Sequence, residues 1–460
     1  MDRKTFRLVL LVSCCHALVH VYEQSFSSVE QLIADAFGVS QATTGLLGTS
    51  FRLPFGLCAL AAGWLADRWG QKAMLVVYLV GCGLTSLFLF SVGKTAAVTH
   101  NISVLFIALP ILGLFASIYH PAGLALIAQR TTPENRPLSL GYHGILGSLG
   151  IATGPLLASW VLYSGGSWES FYLALSVPGI LLAAVVFFAL RDDRAQPAPV
   201  TQSSADEQAR LPGLSVRGGL PPQNEPQDGD RAQAAVGPII ADSPAAPLSE
   251  NAGPSVSASA EEKPAWSRYF LLIAATTLAG FVYSAVMTFL PRYLDDSGLF
   301  PQLPRETVRN ILSGAVLLLG MIGQYTAGRW ATPRTLERML AGVFWASLPL
   351  LIAMGAVSGA WRVLAAAVFM PVFFMHQPLY NSLVAKYVPR RRRSMAYGLS
   401  FTLSFGGGSI GPAVIGFIQA GSGDYGNLVS YVVLALTIGA AAAMVRLLAQ
   451  KASATPGRGH

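Results

Sequence analysis

Long apolar runs recur from end to end of the chain, each closed by a short stretch of charges, glycines or prolines. A helix needs roughly 18 or more mainly apolar residues to cross about 30 Å of hydrocarbon, and runs of that size predict twelve spans. The first six fall at 6–36, 43–65, 72–93, 103–129, 138–163 and 167–190. The second six fall at 267–294, 306–329, 336–356, 361–387, 394–420 and 426–448. Between the sets, 191–264 is rich in Pro, Ala, Ser, Gln and acidic residues with few large apolar side chains, which predicts a disordered linker. The expected fold class is an all-α polytopic membrane protein. Its domains are a six-helix bundle over 1–190, the linker, a second bundle over 265–450 and a tail over 451–460.

Composition agrees with that reading. Of 460 residues, 53% are hydrophobic and 12% charged, against about 25% charged in a typical soluble domain. The net charge of +8 does not indicate nucleic acid, because the basic residues sit in short clusters between apolar runs. Those clusters set the orientation instead. Arg3, Lys4 and Arg7, then Arg68 and Lys72, Arg130 and Arg136, Arg334 and Arg338, and the run Arg390 to Arg393 all fall on one side, while the opposite loops carry few, such as Lys94 and Arg305. Both termini and the linker are therefore expected in the cytoplasm, with the chain in the inner (plasma) membrane. Cys14, Cys15, Cys58 and Cys82 all lie inside predicted spans without metal spacing, so buried thiols are expected and no disulfide. The opening "MDRKTFRLVLLVSCC" has the look of a cleaved leader, but its apolar run continues past Cys14 and the even helix count requires it.

The two halves repeat one another. "GYHGILGSLGIATGP" over 141–155 and "GLSFTLSFGGGSIGP" over 398–412 share a skeleton in which Gly141, Gly150, Gly154 and Pro155 return as Gly398, Gly407, Gly411 and Pro412. At the same offset His120-Pro121 meets Gln377-Pro378, and a weaker echo sets "HVYE" (20–23) against "FVYS" (281–284). Two like-oriented six-helix halves imply a pseudo-twofold axis along the membrane normal with a cavity between them.

These residues, together with "GWLADRWGQK" (63–72), resemble the major facilitator superfamily over nearly all of the chain outside the linker. The loop after span 2 matches that family's pattern at Gly63, Asp67, Arg68, Gly70 and Lys72. The glycine skeleton of span 5 resembles the antiporter motif of drug-efflux members, although Ala158 and Ser159 stand where two further glycines would follow. "YHPAG" (119–123) and the His/acid pair of span 1 are similar to the fosmidomycin-resistance branch, in which the acid lies four residues after the histidine; here His20 and Glu23 are three apart.

Each motif also has a physical reading. Asp67 lies at the C-terminal end of its helix, where the dipole disfavours a carboxylate, so it calls for a cationic partner. The start of span 11 with Arg393 would supply one and latch that side shut in one conformation; a solvated, topology-setting turn is the plainer alternative. Gly147, Gly150, Gly154 and Ala158 share one face, which lets another helix approach backbone to backbone, with or without a gating role. His143 lies on the same face as a seam residue.

Span 1 carries groups that hydrocarbon rejects. On a helix His16, His20, Glu23, Ser27 and Glu30 fall within an arc of about 80°. A charge at mid-bilayer costs at least about 2.5–3.5 kcal/mol, so this stripe must face the protein interior or a watered cavity. Arg52 on span 2 reaches a depth similar to Glu23 and is the obvious counter-ion. Burial favours the neutral form of Glu23 and Arg52 the ionised one, and a carboxylate balanced in that way suits proton coupling, with His20 and His16 sharing the proton. The competing reading is a static buried pair. A metal reading is also open, because His16, His20 and Glu23 have i, i+4, i+7 spacing; but nothing else clearly completes the sphere and Arg52 would repel a cation, so no metal and no cofactor is assigned.

Candidates for solute contact are Arg52, Tyr283, His120, His376, Gln377 and Asn381, several of which sit beside prolines and have packing or kinking as the plainer reading. Candidates for gating are Gly63, Asp67, Arg68, Gly70, Lys72, Arg393, Gly141, Gly150, Gly154 and Pro155. No P-loop, nucleophile elbow or HExxH is present in the sequence, so no enzyme is expected. The expectation is a monomeric secondary transporter for a small organic solute, proton-coupled and exporting, with protons and the bilayer as its other partners. Proton-driven uptake is the nearest alternative, followed by a divalent-metal exporter or a non-transporting sensor. Deleting 191–264 separates the last of these: a transporter keeps its activity and a sensor loses its output.

Overall fold

The computed structural model of the protein describes residues 1–132, 135–190, 265–389 and 393–453. The linker expected over 191–264, most of the arginine run and the end of the tail lie outside the described residues. All regular structure within them is helical. Eleven helices are long and apolar enough to cross a membrane, and a bent pair, Gln41–Leu57 with Ala59–Trp69, makes a twelfth span. In chain order the spans are Arg3–Phe37, the bent pair, Gln71–Val98, Ser103–Arg130, Leu138–Tyr163 and Trp168–Ala189, then Trp266–Asp295, Arg305–Trp330, Leu336–Ala356, Trp361–Tyr387, Met395–Gly421 and Gly423–Gln450. They are numbered 1 to 12 below. The chain is thus an all-α, twelve-span membrane protein with two six-helix bundles.

Two apolar cores correspond to the two bundles, one built on Phe51, Phe55, Tyr78 and Phe171, the other on Tyr269, Phe344, Phe369 and Phe373. Large apolar side chains point outward as well, among them Phe188, Trp160 and Leu436. A soluble protein hides such residues; a lipid-facing surface is built from them.

The kinks have local causes, and they position the site. In span 1 the helix breaks at Gln24, directly after Glu23. Ser27 and Ser28 turn their hydroxyls back onto the Gln24 carbonyl at 3.1 and 2.7 Å, a side-chain competition that bends helices. Spans 4 and 10 break at Ile118 and Met375. Pro121 and Pro378 follow each break closely, and a proline removes one helical hydrogen bond. The repeated His120-Pro121 and Gln377-Pro378 pairs therefore do the same structural work in both bundles. Span 11 widens into a π-helical turn over Thr402–Gly407, a form common at functional sites.

The glycine skeleton packs each span 5-type helix on the first helix of its own bundle. A Cβ on Gly150 would strike the Ala17 carbonyl, and one on Gly147 the His16 ring. In the second bundle a Cβ on Gly407 would come within 2.8 Å of Thr277, and one on Gly411 would strike the Phe281 carbonyl. The close approach expected of this face is thus to span 1, within one bundle.

Between the bundles one end is sealed by polar contacts, and the other is open between spans 5 and 8. At the sealed end Glu30 pairs with Arg292, Asn310 donates to the Ser28 carbonyl at 3.0 Å, and Thr49 donates to the Ser409 carbonyl at 2.9 Å. Halfway along, Ser148 of span 5 donates to Gln324 of span 8. Beyond that bridge spans 5 and 8 part, since Gly141 and Gly144, on the face of Ser148, and Gly328, one turn from Gln324, all border open space, while spans 2 and 11 stay in contact through Leu60 and Gly398. The open end is the one that carries the 63–72 loop.

Candidate functional site

Glu23 is the hub of the polar interior and is 2% exposed. Its Oε1 accepts from Arg52 at 2.9 Å and from the Tyr283 hydroxyl at 3.1 Å, while His20 Nδ1 lies 2.7 Å from Oε2. Arg52 also donates from Nε to Thr288 at 3.2 Å, and its guanidinium carbon lies 5.7 Å from the centre of the Tyr283 ring. Arg52 comes from the first bundle, Tyr283 and Thr288 from the second. One carboxylate therefore ties three spans and both bundles together. The depth match expected between Glu23 and Arg52 is a direct contact.

Behind Glu23 the bonds continue toward the open end. His20 Nε2 lies 3.2 Å from His16 Nε2, and His16 Nδ1 donates to the His143 carbonyl at 2.7 Å. His143 stacks on His16 with ring centres 3.7 Å apart. Tyr119 donates its single proton to the Val12 carbonyl at 2.8 Å, so His143 Nε2, 2.9 Å from the same hydroxyl, must be the donor of that second bond. His143, expected as a seam residue, and Tyr119, to which no role was given, thus join this chain.

His120 packs against the same group, its ring 5.3 Å from His16, 5.6 Å from His20 and 4.7 Å from Phe401 of the second bundle. Its Nε2 is buried without a hydrogen-bond partner. Around it Phe55, Phe401 and Phe405 form an aromatic cluster across the bundle interface, with Phe401 and Phe405 stacked at 4.4 Å and Tyr283 5.8 Å from Phe405. No sequence signal set these phenylalanines apart from the dozens of other apolar positions; the π turn that presents Phe405 was not legible.

The remaining candidates fall in three places. Gln377 accepts from Gln324 at 2.6 Å and extends the Ser148–Gln324 bridge. His376 is turned away from this interior: its Nδ1 donates to the Phe373 carbonyl and its ring packs between Phe344 and Phe373 inside the second bundle. Asn381 is exposed, and its carbonyl accepts from Tyr397 at 2.8 Å. These two are not brought to Glu23.

The loop residues cap the open end. Gly70 adopts φ +92°, a backbone shape that glycine takes without a steric cost, and ends the helix after Asp67. Asp67 is exposed; Arg68 lies over Trp64 at 5.6 Å and Lys72 over Phe187 at 5.0 Å. Gly63 would bring a Cβ within 3.4 Å of Pro121, and Gly398 one within 3.4 Å of Leu60, so the helix of Asp67 runs beside the start of span 11. The Arg393 side chain expected to meet Asp67 lies outside what the structure describes. Gly154 abuts the Gln24 side chain, and Pro155 sits within span 5.

The polar stripe expected on one straight helix is divided by the break at Gln24. Its upper member, Glu30, is held by Arg292 through two 2.9 Å bonds and by Thr44. Arg292 was missed because it stands in the last turn of span 7, where a cation reads as an ordinary helix end.

A family model described as Major Facilitator Superfamily matches residues 12–412. Among curated proteins, a multidrug resistance protein B homolog of Mycobacterium tuberculosis is 27% identical over 192 residues, 40% of this chain and 34% of that protein. A puromycin resistance protein of Streptomyces alboniger is 32% identical over 158 residues, 34% of this chain and 30% of that one. The chain thus spans about a third of the length of these curated relatives. Among solved structures, an inward-facing, occupied bacterial homolog of the human lysosomal transporter Spinster superposes with a TM-score of 0.64 at 13% identity, covering 99% of this chain and 98% of that one. That last likeness is one of fold.

Proposed function

The chain belongs to the major facilitator superfamily, and from that premise we propose that it exports a small organic solute, anionic or drug-like, by proton-coupled alternating access. The observation that carries this reading is the set of partners on Glu23: Arg52 and His20 in its own bundle, Tyr283 in the other. When the bundles rock, Tyr283 moves relative to Glu23 while Arg52 and His20 travel with it. A carboxylate that gains or loses a donor with the conformation couples its protonation to access. His20, with His16 behind it, gives the proton a path toward the open end.

Arg52 is the proposed anchor for an anionic group, which takes over the guanidinium once Glu23 is protonated. Tyr283, His120 and Gln377 border the bundle interface and are the proposed solute contacts; His376 and Asn381 stand apart from it. Gly63, Asp67, Arg68, Gly70, Lys72 and Arg393 are the proposed latch that closes the open end, and the Gly141, Gly150, Gly154 and Pro155 skeleton keeps span 5 rigid on span 1 as it does so. With the basic loops cytoplasmic, as the charge distribution argues, the described state faces inward. Export is preferred because the two curated relatives named above carry resistance names.

The test is solute flux into proteoliposomes under an imposed pH gradient, wild type against Glu23→Gln. Gradient-driven flux is expected to vanish in the variant while downhill exchange survives. Full gradient-driven flux in the variant removes Glu23 from the coupling role, and a solute that travels with protons makes the protein a symporter.

A further inference from the structure

We propose that His16, His20 and His120 form a binding site for a divalent cation of Zn²⁺ type. One nitrogen from each of the three rings lies within 4.8 Å of the others, and His16 and His20 are buried. The hydrogen bonds fix which nitrogens are available. His16 spends Nδ1–H on the His143 carbonyl and His20 turns Nδ1 to the Glu23 carboxylate, so each directs its Nε2 at the other, 3.2 Å away. Two imidazole lone pairs facing each other repel unless a proton or a metal ion lies between them. Zinc ligands at about 2.0–2.1 Å in a tetrahedron stand about 3.3 Å apart, the separation already present here.

The third ligand is the buried, unpartnered Nε2 of His120. A buried nitrogen without a partner costs free energy, and a ring rotation of His120 toward the pair both satisfies it and shortens the widest separation. The surroundings match those of metal-binding histidines, whose second nitrogen is held by a carboxylate or a backbone carbonyl: Glu23 serves His20 and the His143 carbonyl serves His16. The charge of Arg52 does not oppose the cation unscreened, because Glu23 stands between them with one oxygen on each side. Three imidazoles leave a fourth position open to water or to a donor atom of a solute.

The span-1 pair is visible in the sequence as His16 and His20, but the third ligand is not, since His120 lies on another span and only the break at Ile118 turns it inward. The site is separable from the coupling role of Glu23, since cation binding can fail while Glu23 still couples; but an ion held on both Nε2 atoms takes the place of the proton between His20 and His16.

The test uses the tag-free full chain in detergent, with Zn²⁺ binding measured by equilibrium dialysis and Co²⁺ as an absorbing probe. The wild type is expected to bind one ion and to give the visible absorption of tetrahedral Co²⁺. His120→Gln should weaken binding at least about tenfold and abolish that absorption, His120→Cys should restore both, and His100→Gln, on an exposed loop, should change neither. Unchanged binding in His120→Gln, wild-type binding no tighter than in a variant lacking all three histidines, or loss in His120→Gln without recovery in His120→Cys overturns the proposal.

Discussion

Glu30 of the first bundle and Arg292 of the second meet in a two-pronged ion pair, with Nε and one terminal nitrogen of the guanidinium each 2.9 Å from a carboxylate oxygen. The carboxylate is buried and the guanidinium about a quarter exposed (28%), so the pair is neither fully screened nor fully desolvated. It closes the end of the molecule opposite the 63–72 loop. Close by, Gln31 donates to Asp295, which in turn accepts from Arg305 at 2.7 Å. A polar vestibule of 310 Å³ lies against this seal, lined in part by Gln31, Arg292 and Gln419. Any motion that opens this end must break the Glu30–Arg292 pair.

Removing it should therefore shift the balance of conformations. With a bidentate, charge-assisted pair contributing roughly 1–2 kcal/mol to the sealed state, Arg292→Ala should raise the population open at this end about 5- to 30-fold. Spin labels at Ser40→Cys and Gly421→Cys, on a background without the native cysteines, read this as a longer distance component that grows in the variant. An unchanged distance distribution shows that the pair is not a determinant of closure.

Glu23 and Arg52 predict a non-additive result. Glu23→Gln leaves a 3%-exposed guanidinium without its counter-ion, which should cost roughly 3–5 kcal/mol. Arg52→Gln strands the carboxylate at a similar cost. The double variant removes both charges and should recover at least half of the sum of the two losses, measured by thermal unfolding in detergent. Strict additivity argues that the two charges do not depend on each other. In transport, Arg52→Ala should lower the affinity for an acidic solute, and unchanged affinity removes the arginine from the binding site.

The aromatic cluster predicts what the cavity distinguishes. Phe405→Leu keeps the apolar volume, so stability should change by less than about 1.5 kcal/mol. The loss of ring stacking is worth about 0.5–1.5 kcal/mol, so flat aromatic solutes should weaken about two- to tenfold as competitors while aliphatic ones do not. Equal weakening of both classes points to a packing role only.

Much of this was open to a reader of the sequence, for physical reasons. Span positions follow from hydropathy because lipid forbids irregular backbone, and the observed ends differ from the expected ones by only a few residues. Glu23 and Arg52 were paired by depth alone, since two charges in hydrocarbon have few other options. The features that escaped depend on which way a helix turns after a break. Arg292 and Phe405 owe their positions to the cross-bundle register and to the π turn, and His120, marked as a solute contact, has a place beside His16 and His20 that follows the kink before Pro121. None of these leaves a periodic trace. Gln324 escaped for a related reason: it is one polar residue on a long span whose partners, Ser148 and Gln377, come from two others.

Two glycines of span 5 give the last prediction, because they differ in what faces them. Gly150 lies against the Ala17 backbone, where an added methyl has no room, so Gly150→Ala should destabilise the protein by roughly 1–3 kcal/mol. Gly144 faces open space in the described state, and alanine there improves helix propensity by up to about 1 kcal/mol. Gly144→Leu should therefore fold with wild-type thermal stability. If the open end closes during the cycle, as alternating access requires, the leucine then meets span 8 and holds the bundles apart. Transport should fall severalfold or more in Gly144→Leu while solute binding from the open side persists. A Gly144→Leu protein that transports at the full rate shows that spans 5 and 8 do not close over this position.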